Sequence, residues 1–257
     1  MARKLSYSAG FVENAPGPAP RQQRSAPMPI TKADVLAVLN DPVLNKISFS
    51  VGAIVVNAEA FRIVARYIEA GDVQVVPGSG TVAVYDRGKN RIETPNRNPP
   101  LNFTDGAQLL HECVHAFSDI NGLSGSALDD EVAGYLAQLT YAEIKNPTRP
   151  ILASAARLRT ASPMGRMVFA MQDTVRNYNL HNDRGFGAKI SGADIFRLGQ
   201  AVRAVPQYAG LKETTKTAAA GVPVVNGNQM QALREALTRG QRIGRRPAAP
   251  IARPMIF

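Results

Sequence analysis

"DGAQLLHECVHAFSDING", residues 105–122, holds two of the three histidines in a 257-residue chain, four positions apart with a glutamate between them. With Thr104 or Asp105 as the N-cap and Gly122 as the stop, the stretch predicts a helix of ordinary length. Residues four apart on a helix share a face at about 6 Å, so His111 and His115 can reach one ion. Leu110, Val114 and Phe117 fall on another face and predict burial of the helix against a core. Glu112 is one step round from His111, where it faces a water on that ion rather than binding the ion itself.

The pattern is HExxH, and each part has a chemical reason. Two neutral imidazoles are good zinc ligands, a third ligand and an open position complete a catalytic site, and a carboxylate takes the proton of the water. On this chain's own frequencies of His and Glu, independent positions produce the pattern by chance in roughly one such sequence in a thousand. The third ligand has to come from elsewhere. A metzincin continuation is ruled out because Ser118 and Asn121 stand where a further glycine and histidine would be needed. The deformylase type needs an upstream cysteine, and the single cysteine of the chain, Cys113, lies inside the motif on its core side.

"SALDDEVAGYLAQLTYAEI", from Ser126, predicts a second helix capped by that serine and carrying Asp129, Asp130 and Glu131. The short connection after Gly122 lets it fold back antiparallel to the first helix. Glu131 is the expected third ligand, because the small Ala133 and Gly134 beside it allow a close approach of the two helices, with Asp130 as the fallback. Asp119, four after His115, is a candidate partner for a ligand imidazole. The polar stretch "NYNLHNDRGFG" offers Tyr178, His181 and Arg184, and a later position offers Tyr208, as donors to an oxyanion.

"LLHECVHAF" followed by "EVAGYLAQ", with 15 residues between His115 and Glu131, resembles the gluzincin branch of the zincin metallopeptidases, in particular small bacterial HExxH proteins. The resemblance spans roughly residues 72–145. It implies zinc bound by His111, His115 and Glu131, with Glu112 as general base, in an α+β zincin-like fold. It also implies that the hairpin read in "TVAVYDRGKNRIETP" precedes the metal helix and offers an edge to an extended peptide. The gap to the third ligand is shorter than in the thermolysin group.

Elsewhere the pattern is mixed α/β and then mainly α. "TKADVLAVLNDPVL" predicts a short helix and "ISFSVGAIVV" a strand. "AEAFRIVARYIEAG" predicts a helix ending at Gly71, "DVQVVPG" a short strand, and everything after Asp105 reads as helical. "SGADIFRLGQAVRAV" and "GNQMQALREALTRG" read as core helices. No composition break or repeat divides residues 31–240, which predicts one metallopeptidase domain between flexible basic tails at 1–30 and 241–257.

The formal charge is +10, but four bases against Glu13 in residues 1–30 and five arginines in residues 239–257 account for eight of it. A nucleic-acid surface on the folded domain is therefore not expected, whereas the tails can contact anionic partners. No apolar run approaches the roughly 18 residues of a membrane span, and the first residues lack a secretory core. Together with the absence of any disulfide pair, this favours the cytoplasm, with export lacking a standard signal as the alternative. The expected activity is zinc-dependent peptide hydrolysis. Its competitors are a non-catalytic metal-containing interaction protein and an exported effector peptidase using the same site.

Overall fold

Thr31 opens the first helix, α1 (Lys32–Leu39), through a reciprocal capping box with Asp34. The computed structural model describes residues 28–96, 101–123, 126–147, 162–182 and 186–211, so most of the tail at 1–30, the tail at 241–257 and the helix read in "GNQMQALREALTRG" lie outside the described residues. Ile30, at the end of the first tail, is buried, and its carbonyl accepts a hydrogen bond from Thr94 Oγ1 at 2.9 Å.

The stretch read as one strand, "ISFSVGAIVV", is two. β1 (Ser48–Val51) and β2 (Ile54–Asn57) pair antiparallel around the two-residue turn Gly52–Ala53. Gly52 has φ +56, which a side chain disfavours, and this single position turns the chain within a stretch otherwise suited to one strand. α2 (Ala58–Ala70) begins at the Asn57 cap and ends at Gly71 with φ +88, and it buries Phe61, Ile63, Val64 and Ile68. β3 (Gln74–Pro77) follows, and β4 (Val84–Asp86) and β5 (Arg91–Thr94) form the expected hairpin around a single 3-10 turn at Arg87–Lys89. β3 pairs parallel with β5, which leaves β4 at the sheet edge. Along that edge Val82 and Val84 are exposed while Ala83 and Tyr85 are buried, the period of two that a half-covered strand requires.

The metal-motif helix, α3 (Phe103–Ile120), starts earlier than Thr104 or Asp105. Asn102 is the cap, its side chain accepting from the N–H groups of Thr104 and Asp105, and the Asp105 carboxylate returns to the Asn102 N–H. α4 (Ala127–Lys145) starts at the Ser126 cap as expected. α5 (Pro163–Asn177) and α6 (Gly192–Arg203) complete six α-helices among the described residues. Between the last two, β6 (Ala188–Lys189) adds a short parallel strand to β1, so the region after Asp105 is not wholly helical. Polar Lys189 and the brevity of the pairing hide this strand from any periodicity.

The fold is thus α+β, with two three-stranded sheets among the described residues and helices packed against them. Phe49, Phe61, Leu109, Leu110, Ile120, Leu136 and Met167 are fully buried between these layers. Among the described residues no helix is long and apolar enough to cross a membrane.

Asp41 links the first helix region to the C-terminal end of α4. Its carboxylate accepts from Tyr141 Oη at 2.9 Å and pairs with Lys145 Nζ at 2.7 Å. Burial pulls this carboxyl up, but the bonds from Lys145, the Val43 N–H and Tyr141, with the lysine charge, outweigh burial and hold it below its ordinary value. A depressed folded-state value stabilises the protein above the unfolded-state value and loses that contribution as pH falls through the folded one. Asp41→Asn is expected to cost about 1 kcal/mol at neutral pH, a midpoint lower by roughly 3 °C. Thermal melts across acid pH should show the difference from wild type shrinking below pH ~4 and vanishing below the folded-state value.

Candidate metal centre

α3 and α4 run antiparallel in direct contact, as the pairing of their side chains shows: Ser118 and His115 meet Asp130, His111 meets Tyr135, and Gly106 meets Tyr141. The crossing brings together His111, His115 and Glu131, the one group of three or more potential metal ligands found among the described residues. The Nε2 atom of His111 lies 3.4 Å from Glu131 Oε2, and the Nε2 atom of His115 lies 3.6 Å from Glu131 Oε1. Tetrahedral zinc with bonds of about 2.05 Å separates its ligand atoms by about 3.3 Å, so these spacings suit an ion better than they suit direct hydrogen bonds. The Oε2 atom of Glu131 is buried without a hydrogen-bond partner, which is what a ligand atom facing a cation requires. Two imidazoles and a carboxylate fit zinc by chemistry as well as by distance.

Burial pulls the Glu131 carboxyl up. The contact with His111, the charges of both histidines and a hydrogen bond from Tyr208 outweigh burial, so the group lies below its ordinary value and is held as the anion. His115 is fixed from behind: its Nδ1 lies 2.6 Å from Asp130 Oδ2, and Ser118 Oγ donates to Asp130 Oδ1 at 2.6 Å. The imidazole partner expected in Asp119 is therefore supplied by Asp130, the residue held in reserve as a ligand. Helical geometry explains the exchange. Asp119 lies one turn beyond His115 on the same helix, whereas Asp130 faces it across the contact between helices. Asp119 instead pairs with Arg87, whose Nε lies 2.7 Å from Asp119 Oδ1.

Glu112 is half-buried, and its Oε2 accepts the backbone N–H of Tyr85 at 2.7 Å. The N–H comes from the edge strand β4, so the hairpin before the metal helix holds this carboxylate directly.

His111 packs edge-on against Tyr135, with ring centroids 4.5 Å apart, and Tyr135 Oη lies 2.8 Å from Tyr208 Oη. Tyr208 was one of several sequence candidates, and a single 3-10 turn after α6, Pro206–Tyr208, carries it to the site. Tyr135 was not singled out, although its position four after Glu131 on one helix face was the available signal. Burial raises both phenols, so both stay protonated donors at neutral pH.

The remaining candidates go elsewhere. Tyr178 Oη donates to Asp194 Oδ2 at 2.7 Å and accepts from the Ser191 N–H, which ties the end of α5 to the start of α6. His181 pairs with Glu143 at 3.7 Å, and Glu143 lies twelve residues beyond Glu131, about 18 Å along α4. Arg184 lies outside the described residues. Cys113 is fully buried, and burial pushes its thiol up, which fits a small core residue.

Gly134 sets the closeness of the two helices. A Cβ built on it meets the His111 ring at 2.9 Å from Nε2 and at 3.0 Å from both adjacent carbons. The ring is clamped between Glu131 and the α4 backbone and has little room to yield. Gly134→Ala is expected to keep the fold and to weaken metal binding by at least about 10-fold, measured by chelator competition.

These assignments stand on the residues themselves, since no family model, curated protein or solved structure matches the chain.

Proposed function

We propose that the protein is a zinc-dependent peptidase of zincin-like, gluzincin type, with His111, His115 and Glu131 as the ligands and Glu112 as the general base. The observation that carries this reading is the convergence of two Nε2 atoms on the Glu131 carboxylate at 3.4 and 3.6 Å, next to a glutamate held by a strand edge. The three-donor group among the described residues favours a catalytic site over a structural one, which is closed by a fourth protein ligand.

Zinc bound there supplies Lewis-acid polarisation of the scissile carbonyl and a water whose pKa is lowered to about 7. The rest of the chemistry belongs to the chain. Glu112 takes the proton of the attacking water through its carboxylate and returns it to the leaving amine, oriented throughout by the Tyr85 N–H. The Tyr208 hydroxyl, which donates to Glu131 and accepts from Tyr135, can turn its single proton to the oxyanion that develops as the carbonyl is attacked, with Tyr135 holding it in place. β4 has no strand on its outer side, and Val84 within it and Val82 just before it are exposed; this open edge supports an extended peptide substrate rather than a small ester or amide.

The test is metal content by mass spectrometry together with hydrolysis of an unstructured protein and a mixed peptide library. Wild type is expected to carry one zinc per chain and to cleave. Glu112→Gln is expected to keep the zinc and to lose roughly 10²–10⁴-fold in rate, while His111→Ala and Glu131→Ala lose the metal. Equal residual cleavage in all three variants would remove the assignment.

A further inference from the structure

Arg87 sits in the 3-10 turn between β4 and β5, inside the stretch whose sequence reads as a hairpin. Its guanidinium reaches away from the turn to two carboxylates at the contact between α3 and α4. Nε lies 2.7 Å from Asp119 Oδ1 and 2.8 Å from Oδ2, and Nη2 lies 3.6 Å from Asp130 Oδ2. The two aspartate side chains are 2% and 1% exposed, whereas that of Arg87 is 31% exposed, so the cation plugs a buried pair of acids from the solvent side. Two desolvated carboxylates in one place need a cation, and the flat fork of an arginine can engage both.

Asp130 is also the group that holds His115 Nδ1 at 2.6 Å, with Ser118 on its other oxygen. The chain of contacts therefore runs from a hairpin turn, through two buried acids, to an imidazole whose other nitrogen faces Glu131. Two residues before Arg87, the Tyr85 N–H holds Glu112. One short segment of the hairpin thus touches both the ligand side and the base side of the centre.

We propose that Arg87 is a positioning residue for the metal centre: by bridging Asp119 and Asp130 it holds Asp130 against His115, and so aims the His115 Nε2 at the metal. The proposal rests on the metal-centre reading above. It assigns Arg87 no contact with substrate. An arginine that only stabilised the hairpin would leave metal affinity unchanged in protein that remains folded.

The experiment uses the full chain and cobalt(II) as a coloured stand-in for zinc, with affinity from chelator competition and ligand geometry from visible absorption. Wild type, Arg87→Ala, Arg87→Lys and Asp119→Asn are compared with Lys145→Ala, which breaks an ion pair to Asp41 elsewhere in the fold. Arg87→Ala is expected to bind cobalt about 10–100-fold more weakly, with a shifted visible band. Arg87→Lys keeps the charge but not the fork and should fall between that variant and wild type, while Lys145→Ala binds as wild type. Wild-type affinity and band shape in folded Arg87→Ala overturn the proposal and leave the metal centre standing. An equal loss in Lys145→Ala also overturns it, because the effect is then one of general stability. If Arg87→Ala does not fold, Arg87→Lys and Asp119→Asn decide by the same two readouts. A wild type that binds no cobalt removes the metal centre itself, and the role of Arg87 with it.

Discussion

The contact of the His111 ring with the α4 backbone at Gly134 is the constraint on which the rest depends. The ring fills the space where any other residue would carry its Cβ, so the distance between α3 and α4 is set at the metal motif itself. At that separation Glu131 stands opposite both imidazoles, and Asp130, one residue earlier, stands behind His115. A wider crossing would put the carboxylate out of reach of the two nitrogens. Fully buried Leu109, Leu110 and Leu136 hold the pair together from the other side.

Closeness brings charge into the interior, and the arrangement of polar groups follows from that. Asp119, Asp130 and Glu131 would repel one another if left bare. Each has a partner of suitable chemistry: Arg87 for Asp119, Ser118 and His115 for Asp130, the histidine pair and Tyr208 for Glu131. Those partners come from the hairpin, from α3 and from the segment after α6, so three separate parts of the chain converge on one helix contact. The edge strand β4 joins this set by its backbone as well, because the Tyr85 N–H is spent on Glu112 rather than on a neighbouring strand. The small sheet therefore has two tasks: it covers part of the core and it orients the carboxylate beside the group of His111, His115 and Glu131.

Several polar residues that looked suited to the chemistry serve packing instead. Tyr178 joins two helices through Asp194 and Ser191, and His181 pairs with Glu143 at the far end of α4. Their residue types suggested function, yet a histidine or tyrosine in a polar stretch has many ways to satisfy its hydrogen bonds. Tyr135 is the opposite case. It lies inside an apolar helix where an aromatic reads as core, and it is its neighbour Tyr208 that marks it as part of the site.

The sequence by itself determined the features that depend on short spacing. His111, Glu112 and His115 share one helix at one-turn separation, so their relation needs no tertiary information. The caps Thr31 and Ser126, the stop at Gly71 and the β4–β5 hairpin were legible for the same reason, each being a local pattern of hydrogen bonds or turn residues. The choice of Glu131 followed from the small residues beside it, which is local reasoning about a contact between neighbouring helices. Only the tertiary structure decided which of the two aspartates backs His115, that Arg87 reaches the pair, that Tyr85 holds Glu112 and that Tyr208 arrives from more than seventy residues beyond Glu131. These depend on where separate elements come to rest against one another, and an acid or an arginine carries no mark in the sequence of the partner that burial will assign to it.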